Sequence, residues 1–306
     1  MSFPDFYNPN KVGDLFRPDV TAATLEGQAA RMAPSSSDQT RVLLLLVDVQ
    51  VDFVHPEGSL SVPGAVDDTR RTIEWILAHA GSITTIGASL DSHIPIQIFF
   101  PTWWQDADGN HPQPYTVITS EQVDTGQWVP LYDLEWSRDY VHKLETKAKK
   151  ALMIWPYHTL IGTAGHNLMP ALYEAVAYHT AARQSQPVFV TKGSIPKTEH
   201  YSMLEPEVKV PHHPQGTLNQ DFLDIVAGHD KVFITGQAKS HCVLETVTSI
   251  MNYFADQPEV IGKLNVLMDG TSSVAHPEID FEAIATEALE LFERDGLTLT
   301  DTTEAL

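Results

Sequence analysis

The sequence lacks the means to form an intrachain disulfide, because Cys242 is the single cysteine among 306 residues. A fold stapled by disulfides is therefore excluded, and we expect a reducing compartment, the cytoplasm. The first residues lack the basic and apolar regions of a secretory signal peptide, which leads to the same expectation. The longest apolar run, Val42 to Val47, is far too short to span a bilayer, so we expect no membrane partner.

Positive charge is also scarce. The chain has 19 lysines and arginines against 40 aspartates and glutamates, which gives a formal net charge of −21. Polyanions are repelled by such a chain, so we expect neither nucleic acid nor anionic lipid as a partner. Core-forming residues are plentiful, since 42% of the chain is hydrophobic and its length suffices for one large α/β domain or two small ones.

Five apolar runs are typical of parallel strands that are covered on both faces of a sheet. They span residues 42–49, 82–90, 187–192, 231–236 and 264–269. Helical patterns separate most of them, at residues 67–80, 168–183, 242–254 and 281–292. This alternation predicts an α/β fold of three layers, α/β/α, with a mainly parallel central sheet.

Two segments fall outside the alternation. Residues 1–40 show weak periodicity and end in a linker-like stretch, so we expect an N-terminal arm that packs on the body or on a neighbouring subunit. Residues 41–306 would form the main domain, with an insertion at about 94–154 that is long, irregular and rich in tryptophan. The lysine-rich end of this insertion, residues 141–150, predicts a solvated helix.

Reactive side chains follow the predicted strands. Asp48 and Lys192 end two runs, a short turn after a third leads to Cys242, and Asp91 and His93 end a fourth. Since ligands of open parallel sheets bind beyond the carboxyl ends of the strands, we expect these residues to converge. The start of a helix favours the thiolate of Cys242 and lowers its pKa, while burial raises the pKa of Asp48 and makes it a base. A small core cysteine and a loop-capping acid remain open alternatives.

The Asp91 and His93 pair also predicts a metal site. The two residues leave the same face of a strand end, and mixed oxygen and nitrogen ligands suit a divalent metal. A third ligand is needed, and His158 and His111 are both candidates.

These landmarks resemble the nicotinamidase/isochorismatase-like cysteine hydrolase superfamily. The resemblance rests on four segments that occur in the family's order between about residues 40 and 276. They are residues 46–53 with 58–60 and 62–64, Lys192 and Gly193 with Glu199, Tyr201 and Ser202, residues 236–243, and residues 269–273. Together these motifs are highly specific. The implied fold is the isochorismatase-like hydrolase fold.

The resemblance implies a catalytic triad of Asp48, Lys192 and Cys242. It also implies a cis peptide near Gln237–Ala238, which would turn the N–H groups of Ala238 and Cys242 toward the substrate oxygen as an oxyanion hole.

In the nicotinamidase branch, the resemblance implies that Asp91, His93 and His158 bind the metal, which favours His158 over His111. Zn²⁺ is favoured, and Fe²⁺ and Mn²⁺ are alternatives.

The same branch clamps a pyridine ring between aromatic side chains. The resemblance implies that Phe53 and Trp155 have this role here and that Tyr201 lines the substrate site. Simple core packing remains an alternative for Phe53 and Trp155.

The implied activity is hydrolysis of a small amide, nicotinamide to nicotinate and ammonia, through a cysteine thioester, and family analogy implies a homo-oligomer. Alternatives are a ureido or carbamoyl amide as substrate, a metal-bound water as nucleophile with a structural Cys242, and a non-catalytic binding protein. Residues 239–241 replace the common Thr-Asp-Tyr, and Thr159 stands where nicotinamidases often have cysteine. The N-terminal arm and the long insertion are not typical of the compact family, and they bear on the substrate more than on the chemistry.

Overall fold

The computed structural model describes residues 3–148, 150–304 and 306, and these residues are arranged around a six-stranded sheet. Its strands are β1 (Val42–Val47), β2 (Thr85–Asp91), β3 (Val188–Lys192), β4 (Lys231–Gly236), β5 (Leu264–Leu267) and β6 (Thr298–Thr300). Their order is β3-β2-β1-β4-β5-β6, and all neighbours are parallel. The five predicted strands are confirmed. The sequence did not predict β6, because three residues at an edge of the sheet are too few to form an apolar run.

Helices cover the sheet. They are α1 (Val20–Ala29), α2 (Val51–Val54), α3 (Ala65–His79), α4 (Ser120–Asp124), α5 (Leu134–Lys143), α6 (Pro170–Arg183), α7 (Gln220–Ala227), α8 (Leu244–Tyr253), α9 (Pro258–Ile261) and α10 (Phe281–Arg294). The four predicted helices correspond to α3, α6, α8 and α10. Within the part of the chain that the structure describes, no helix is long and apolar enough to cross a membrane.

Strand β1 explains the layering. Leu44 and Leu46 pack into a core with side chains of α1, α3 and α6, whereas Leu43 and Leu45 pack into a second core with α7, α8 and α10. Successive side chains of a strand point to opposite faces, so a strand covered on both faces is apolar throughout. Each fully buried leucine contributes roughly 1.5–3 kcal/mol. The predicted three-layer α/β/α fold is confirmed.

The prediction that all five strands are covered on both faces is wrong for β3. This strand lies at the edge of the sheet, and Phe189 is 41% exposed there. Thr191 on the same face is also exposed, whereas Lys192 at the strand end is buried. An edge position leaves one face only partly covered, which the composition of the run does not show.

The segment 94–154 has more regular structure than the sequence predicted. It contains α4, α5 and two short antiparallel pairs, Trp104–Gln105 with Val129–Pro130 and Val117–Ile118 with Leu152–Met153. The solvated helix predicted at residues 141–150 is confirmed in part. Helix α5 ends at Lys143 and a π-helical turn follows over Leu144–Ala148, with most side chains at least partly exposed, but Val141 and Leu144 are buried. Residue 149 lies outside the described residues.

The N-terminal residues pack on the main body through α1, which lies against α6. The N–H of Asp19, which caps α1, donates to the carboxylate of Glu174 in α6 at 2.6 Å. Gly27 of α1 permits the close approach of the two helices, since a Cβ at that position would lie 2.4 Å from the carbonyl oxygen of Tyr178 in α6.

Candidate active site

The carboxyl ends of β1, β2, β3 and β4 bring the candidate residues to one edge of the sheet. Asp48 follows β1 directly, Asp91 and Lys192 end β2 and β3, and Cys242 lies six residues beyond the end of β4. The strand order places β1 between β2 and β4, where the connections run in opposite directions. That is the point of a doubly wound sheet at which ligands bind.

The ammonium of Lys192 joins the acid and the thiol. Its Nζ lies 2.9 Å from Asp48 Oδ2 and 3.6 Å from Cys242 Sγ. It also lies 2.9 Å from Asp91 Oδ1. All four side chains are buried. The structure therefore brings together the three residues of the implied triad.

Two carboxylates keep Lys192 charged. Burial alone lowers the pKa of Lys192, but the nearby charges of Asp48 and Asp91 outweigh it and raise that pKa well above its usual range. Burial raises the pKa of Asp48, as the sequence predicted, although Lys192 opposes this shift. The hydroxyl of Ser89 donates to Asp48 Oδ1 at 2.6 Å, and the N–H of Asp48 donates back to Ser89 Oγ at 3.1 Å. Asp48 is thus held in a fixed orientation with one oxygen toward Lys192.

The predicted lowering of the thiol pKa is wrong. Burial raises the pKa of Cys242 well above its usual range, and the favourable charge of Lys192 does not offset burial and the repulsion from Asp48. Cys242 lies in a π-helical turn, Lys239–Val243, before α8 begins at Leu244. A raised thiol pKa means that activation of Cys242 requires a base.

Two backbone hydrogen bonds hold the turn before Cys242. The peptide Gln237–Ala238 is cis, as the resemblance implies. The N–H of Gln237 donates to the carbonyl of Val47 at 2.8 Å, and the N–H of Lys239 donates to the carbonyl of Ser272 at 2.7 Å. These bonds hold Ala238, the implied oxyanion-hole residue, beside the end of β1.

Three residues next to the triad form a compact ligand set. One ligand atom from each of Asp91, His93 and His158 lies within 4.8 Å of the others, and all three residues are buried. Asp91 Oδ2 lies 2.8 Å from His93 Nε2 and 3.6 Å from His158 Nε2. His111 lies elsewhere, with its Nδ1 bonded to the carbonyl of Trp104 at 2.6 Å.

The hydrogen bonds of the two histidines fit a metal. His93 Nδ1 lies 3.0 Å from the carbonyl of Gly193, and His158 Nδ1 lies 2.8 Å from the carbonyl of Pro156. Because a carbonyl accepts only from a protonated nitrogen, we assign the proton to Nδ1 in both rings, which leaves each Nε2 as a ligand. His93 Nε2 is buried and makes no hydrogen bond among the described residues, although Asp91 Oδ2 lies 2.8 Å away. With the proton on Nδ1, this nitrogen and the carboxylate oxygen are both acceptors, and a divalent cation would satisfy both.

Aromatic side chains border this edge. Phe53 packs against His158 with ring centroids 5.5 Å apart. On another side, Trp155 Nε1 donates to the hydroxyl of Tyr201 at 3.0 Å, and the ring of His241 lies 5.2 Å from Trp155 and 5.3 Å from Tyr201. We call Trp155, Tyr201 and His241 the aromatic wall. The structure thus places Phe53 against His158 of the ligand set, and Trp155 and Tyr201 against His241, the residue before Cys242.

Solved structures with this arrangement of elements have low sequence identity to the chain. A nicotinamidase/pyrazinamidase of Acinetobacter baumanii is 20% identical, with a TM-score of 0.57 over 88% of this chain and 100% of that one. The yeast nicotinamidase Pnc1p bound to the inhibitor nicotinaldehyde is 19% identical, with a TM-score of 0.57 over 85% of this chain and 99% of that one. A Pyrococcus horikoshii pyrazinamidase in complex with zinc is 19% identical, with a TM-score of 0.50 over 85% of this chain and 98% of that one.

The chain has the nicotinamidase fold. No protein-family model and no curated protein matches its sequence. At about 20% identity the likeness shows the fold alone, and the chemistry depends on the side chains of this chain.

Two residues that hold the site residues in position, Glu199 and Asp68, were not predicted from the sequence. Glu199 is buried, and burial and the charge of Asp91 raise its pKa to about 8. Its Oε1 accepts the N–H of His200 at 2.8 Å, and the carbonyl of His200 accepts from Lys192 Nζ at 2.9 Å. Glu199 and His200 therefore hold the ammonium of Lys192 in position. The motif contained Glu199, but no spacing rule gave it a role.

Asp68 is the second missed support. It lies in the first turn of α3, and its Oδ2 accepts from Gln237 Nε2 at 2.9 Å. Arg71 donates to the other oxygen of Asp68 at 2.7 Å. The sequence separates Asp68 and Gln237 by 169 residues, so only the packing of α3 on the sheet shows the contact.

Proposed function

We propose that the protein is an amidohydrolase that converts nicotinamide to nicotinate and ammonia through a thioester on Cys242. The observation that carries this proposal is the position of Lys192 Nζ, 2.9 Å from Asp48 and 3.6 Å from Cys242, beside a buried Asp-His-His ligand set. Core packing alone does not require an acid, an amine and a thiol to meet at the edge of a sheet. The nicotinamidases that share the fold support the choice of substrate.

The first half of the reaction uses Asp48 as base. Asp48 accepts the proton of Cys242, and the thiolate adds to the amide carbonyl carbon. The N–H groups of Ala238 and Cys242 are proposed to stabilise the oxyanion. Asp48 then gives its proton to the leaving nitrogen as the C–N bond breaks, which releases ammonia and leaves the thioester.

The second half returns the enzyme to its starting state. Asp48 accepts a proton from water, the resulting hydroxide adds to the thioester carbonyl, and the C–S bond breaks. The released thiolate takes the proton back from Asp48, and the acid product loses its own proton to solvent and leaves as a carboxylate. Lys192 remains charged throughout, so it stabilises whichever of Asp48 and Cys242 is negative at each step.

The ligand set has a binding role in this proposal. Asp91, His93 and His158 would hold a divalent cation, with Zn²⁺ favoured because two histidines and one carboxylate suit it. When bound, the cation supplies a Lewis acid for the ring nitrogen of the substrate and so orients the amide. Phe53, Trp155 and Tyr201 are proposed to contact the ring.

The Cys242→Ala variant tests the proposal. We expect wild-type protein to release ammonia from nicotinamide and the variant to lose this activity by at least about 10⁴-fold, because no nucleophile remains. Ammonia release is measured with nicotinamide and with a carbamoyl amide, and circular dichroism checks that the variant folds. Ammonia release by the variant at the wild-type rate would contradict nucleophilic catalysis. A preference of the wild type for the carbamoyl amide would contradict the proposal that nicotinamide is the substrate.

A further inference from the structure

Lys150, at the end of the 94–154 insertion, carries a charge that the proposed reaction does not use. Its Nζ lies 2.7 Å from Glu207 Oε2 and 2.7 Å from Glu245 Oε1. The side chain of Lys150 is 28% exposed, and those of Glu207 and Glu245 are 6% and 19% exposed. Ion pairs removed from water to this extent are costly to break on one side, unlike pairs on the surface.

Both partners of Lys150 belong to segments that form the site. Glu245 lies three residues after Cys242, in the first turn of α8. Glu207 donates its N–H to the carbonyl of Glu199 at 2.9 Å, in the segment that seats Lys192. Lys150 therefore joins the insertion to the first turn of α8 and to the loop after β3.

The same ammonium also faces the aromatic wall. Lys150 Nζ lies 5.4 Å from the centroid of the Tyr201 ring, a distance at which a cation is attracted to an aromatic face. Tyr201 in turn accepts the indole N–H of Trp155 and packs against His241. A displacement of Lys150 would thus release one side of this wall.

Lys197 provides a natural comparison. It also pairs with a carboxylate, Asp133, and its Nζ lies 5.9 Å from the ring of Trp136. However, the side chains of Lys197 and Asp133 are 44% and 36% exposed, and neither partner lies on α8 or in the aromatic wall. Lys197 therefore also joins the insertion to the loop after β3, but its ion pair is exposed and does not reach α8 or the aromatic wall.

We propose that Lys150 is a positioning residue that holds the aromatic wall and the first turn of α8 in place for the substrate. This role rests on the proposed function, because the wall is taken to contact the substrate ring. The residue acts through Tyr201, Glu207 and Glu245 and touches no reacting atom.

The Lys150→Met variant is the direct test. We expect KM for nicotinamide to rise about tenfold and kcat to stay within about threefold, because a wall that contacts the ring binds ground state and transition state alike. Lys150→Arg keeps the charge and should restore most of the affinity, and Lys197→Met should leave KM unchanged. An unchanged KM in Lys150→Met overturns the proposal.

A second variant separates positioning from loss of stability. Lys150→Met alone leaves two carboxylates without their cation, so its melting temperature should fall. In the triple variant Lys150→Met, Glu207→Gln, Glu245→Gln, both charges are removed, and we expect the melting temperature to recover while KM stays raised. Recovery of KM together with the melting temperature would show a merely structural role and would overturn the proposal.

Alkylation of Cys242 by iodoacetamide distinguishes failure of this inference from failure of the proposed function. Cys242 is the single cysteine, so mass spectrometry reports its modification without ambiguity. We expect alkylation to be about fivefold faster in Lys150→Met than in the wild type, because the segments around the thiol open more often. If wild-type protein releases no ammonia from nicotinamide, the proposed function fails, whereas faster alkylation of Lys150→Met still supports the restraint of the segments around Cys242 by Lys150. Equal alkylation rates overturn that role whatever the substrate is.

Discussion

Gly193 shows how a single residue shapes the site. Its backbone has a φ of +82°, and a Cβ added there would lie 2.6 Å from Asp91 Oδ1 and 2.8 Å from His93 Cε1. Its carbonyl accepts from His93 Nδ1. The residue after the lysine therefore has to be glycine for two reasons, the left-handed backbone and the space beside the ligand set.

We expect Gly193→Ala to weaken metal binding by about 10–100-fold, the effect seen when groups that orient metal ligands are disturbed. Metal content after dialysis, measured by inductively coupled plasma mass spectrometry, checks this prediction. Gly126→Ala is the matched control, since Gly126 has a φ of +76° and no atom within 4 Å of its added Cβ. Both variants should lose about 1–2 kcal/mol of stability from backbone strain, but the control should keep its metal. Equal metal content in the two variants would rule out the steric explanation.

At the scale of secondary structure, α3 acts on the nucleophile turn through its first turn. Asp68 bonds to Gln237, the residue before the proposed oxyanion donor Ala238, while Asp67 next to it pairs with Arg70 at the surface. A helix that is packed against the sheet by its apolar face thus carries one buried polar contact to the site.

Replacement of Asp68 by alanine should lower kcat about tenfold with little change in KM. The reason is that a displaced oxyanion donor weakens binding mainly in the transition state. Complete loss of such a donor lowers kcat about 10²–10³-fold, so a displacement should have a smaller effect. Steady-state kinetics with nicotinamide measures this. Asp68→Asn keeps an acceptor for the Gln237 amide and should restore most of kcat, and Asp67→Ala should have no effect. The contact would be irrelevant to catalysis if Asp68→Ala and Asp67→Ala had the same kcat.

At the scale of the whole molecule, burial of polar groups links stability to pH. His179 in α6 is buried, and its Nε2 lies 2.9 Å from the carbonyl of Ile83 before β2. Burial lowers the pKa of His179 from 6.5 to about 4, although its bond to Ile83 opposes this shift, and Arg183 lowers it further while Asp38 raises it. The ring is therefore neutral in the folded protein at pH values where the unfolded chain is protonated.

The sign of the effect follows from this lowered pKa. Above pH 6.5 the ring is neutral in both states and does not change stability. As the pH falls from 6.5 toward 4, the unfolded state binds a proton that the folded state excludes, so the free energy of unfolding decreases by up to about 3 kcal/mol. We expect the wild type to lose about 2 kcal/mol more than His179→Gln between pH 7.5 and pH 5 in urea unfolding. His212→Gln, at an exposed histidine, should retain the wild-type dependence. An identical pH dependence in His179→Gln would exclude His179 as the source.

The sequence by itself determined the layers of the fold and the edge at which the reactive residues lie. The apolar run of β1 requires cover on both faces, and the ends of parallel strands must meet at one edge, so Asp48, Lys192 and Cys242 could be predicted to converge. The sequence did not determine features that are short or that depend on distant partners. Strand β6 is an example, because its three residues are too few to give a periodic signal.

Only the tertiary structure decided the electrostatics and the supports of the site. The position of Cys242 beside a helix predicted a lowered pKa, but burial next to Asp48 raises it, and burial depends on every segment that covers the thiol. Lys150 was predicted to be solvated, yet it pairs with Glu207, 57 residues away along the chain. Local sequence fixes backbone conformation and hydrophobic pattern, whereas desolvation and ion pairing depend on which distant residues the fold brings within a few ångströms.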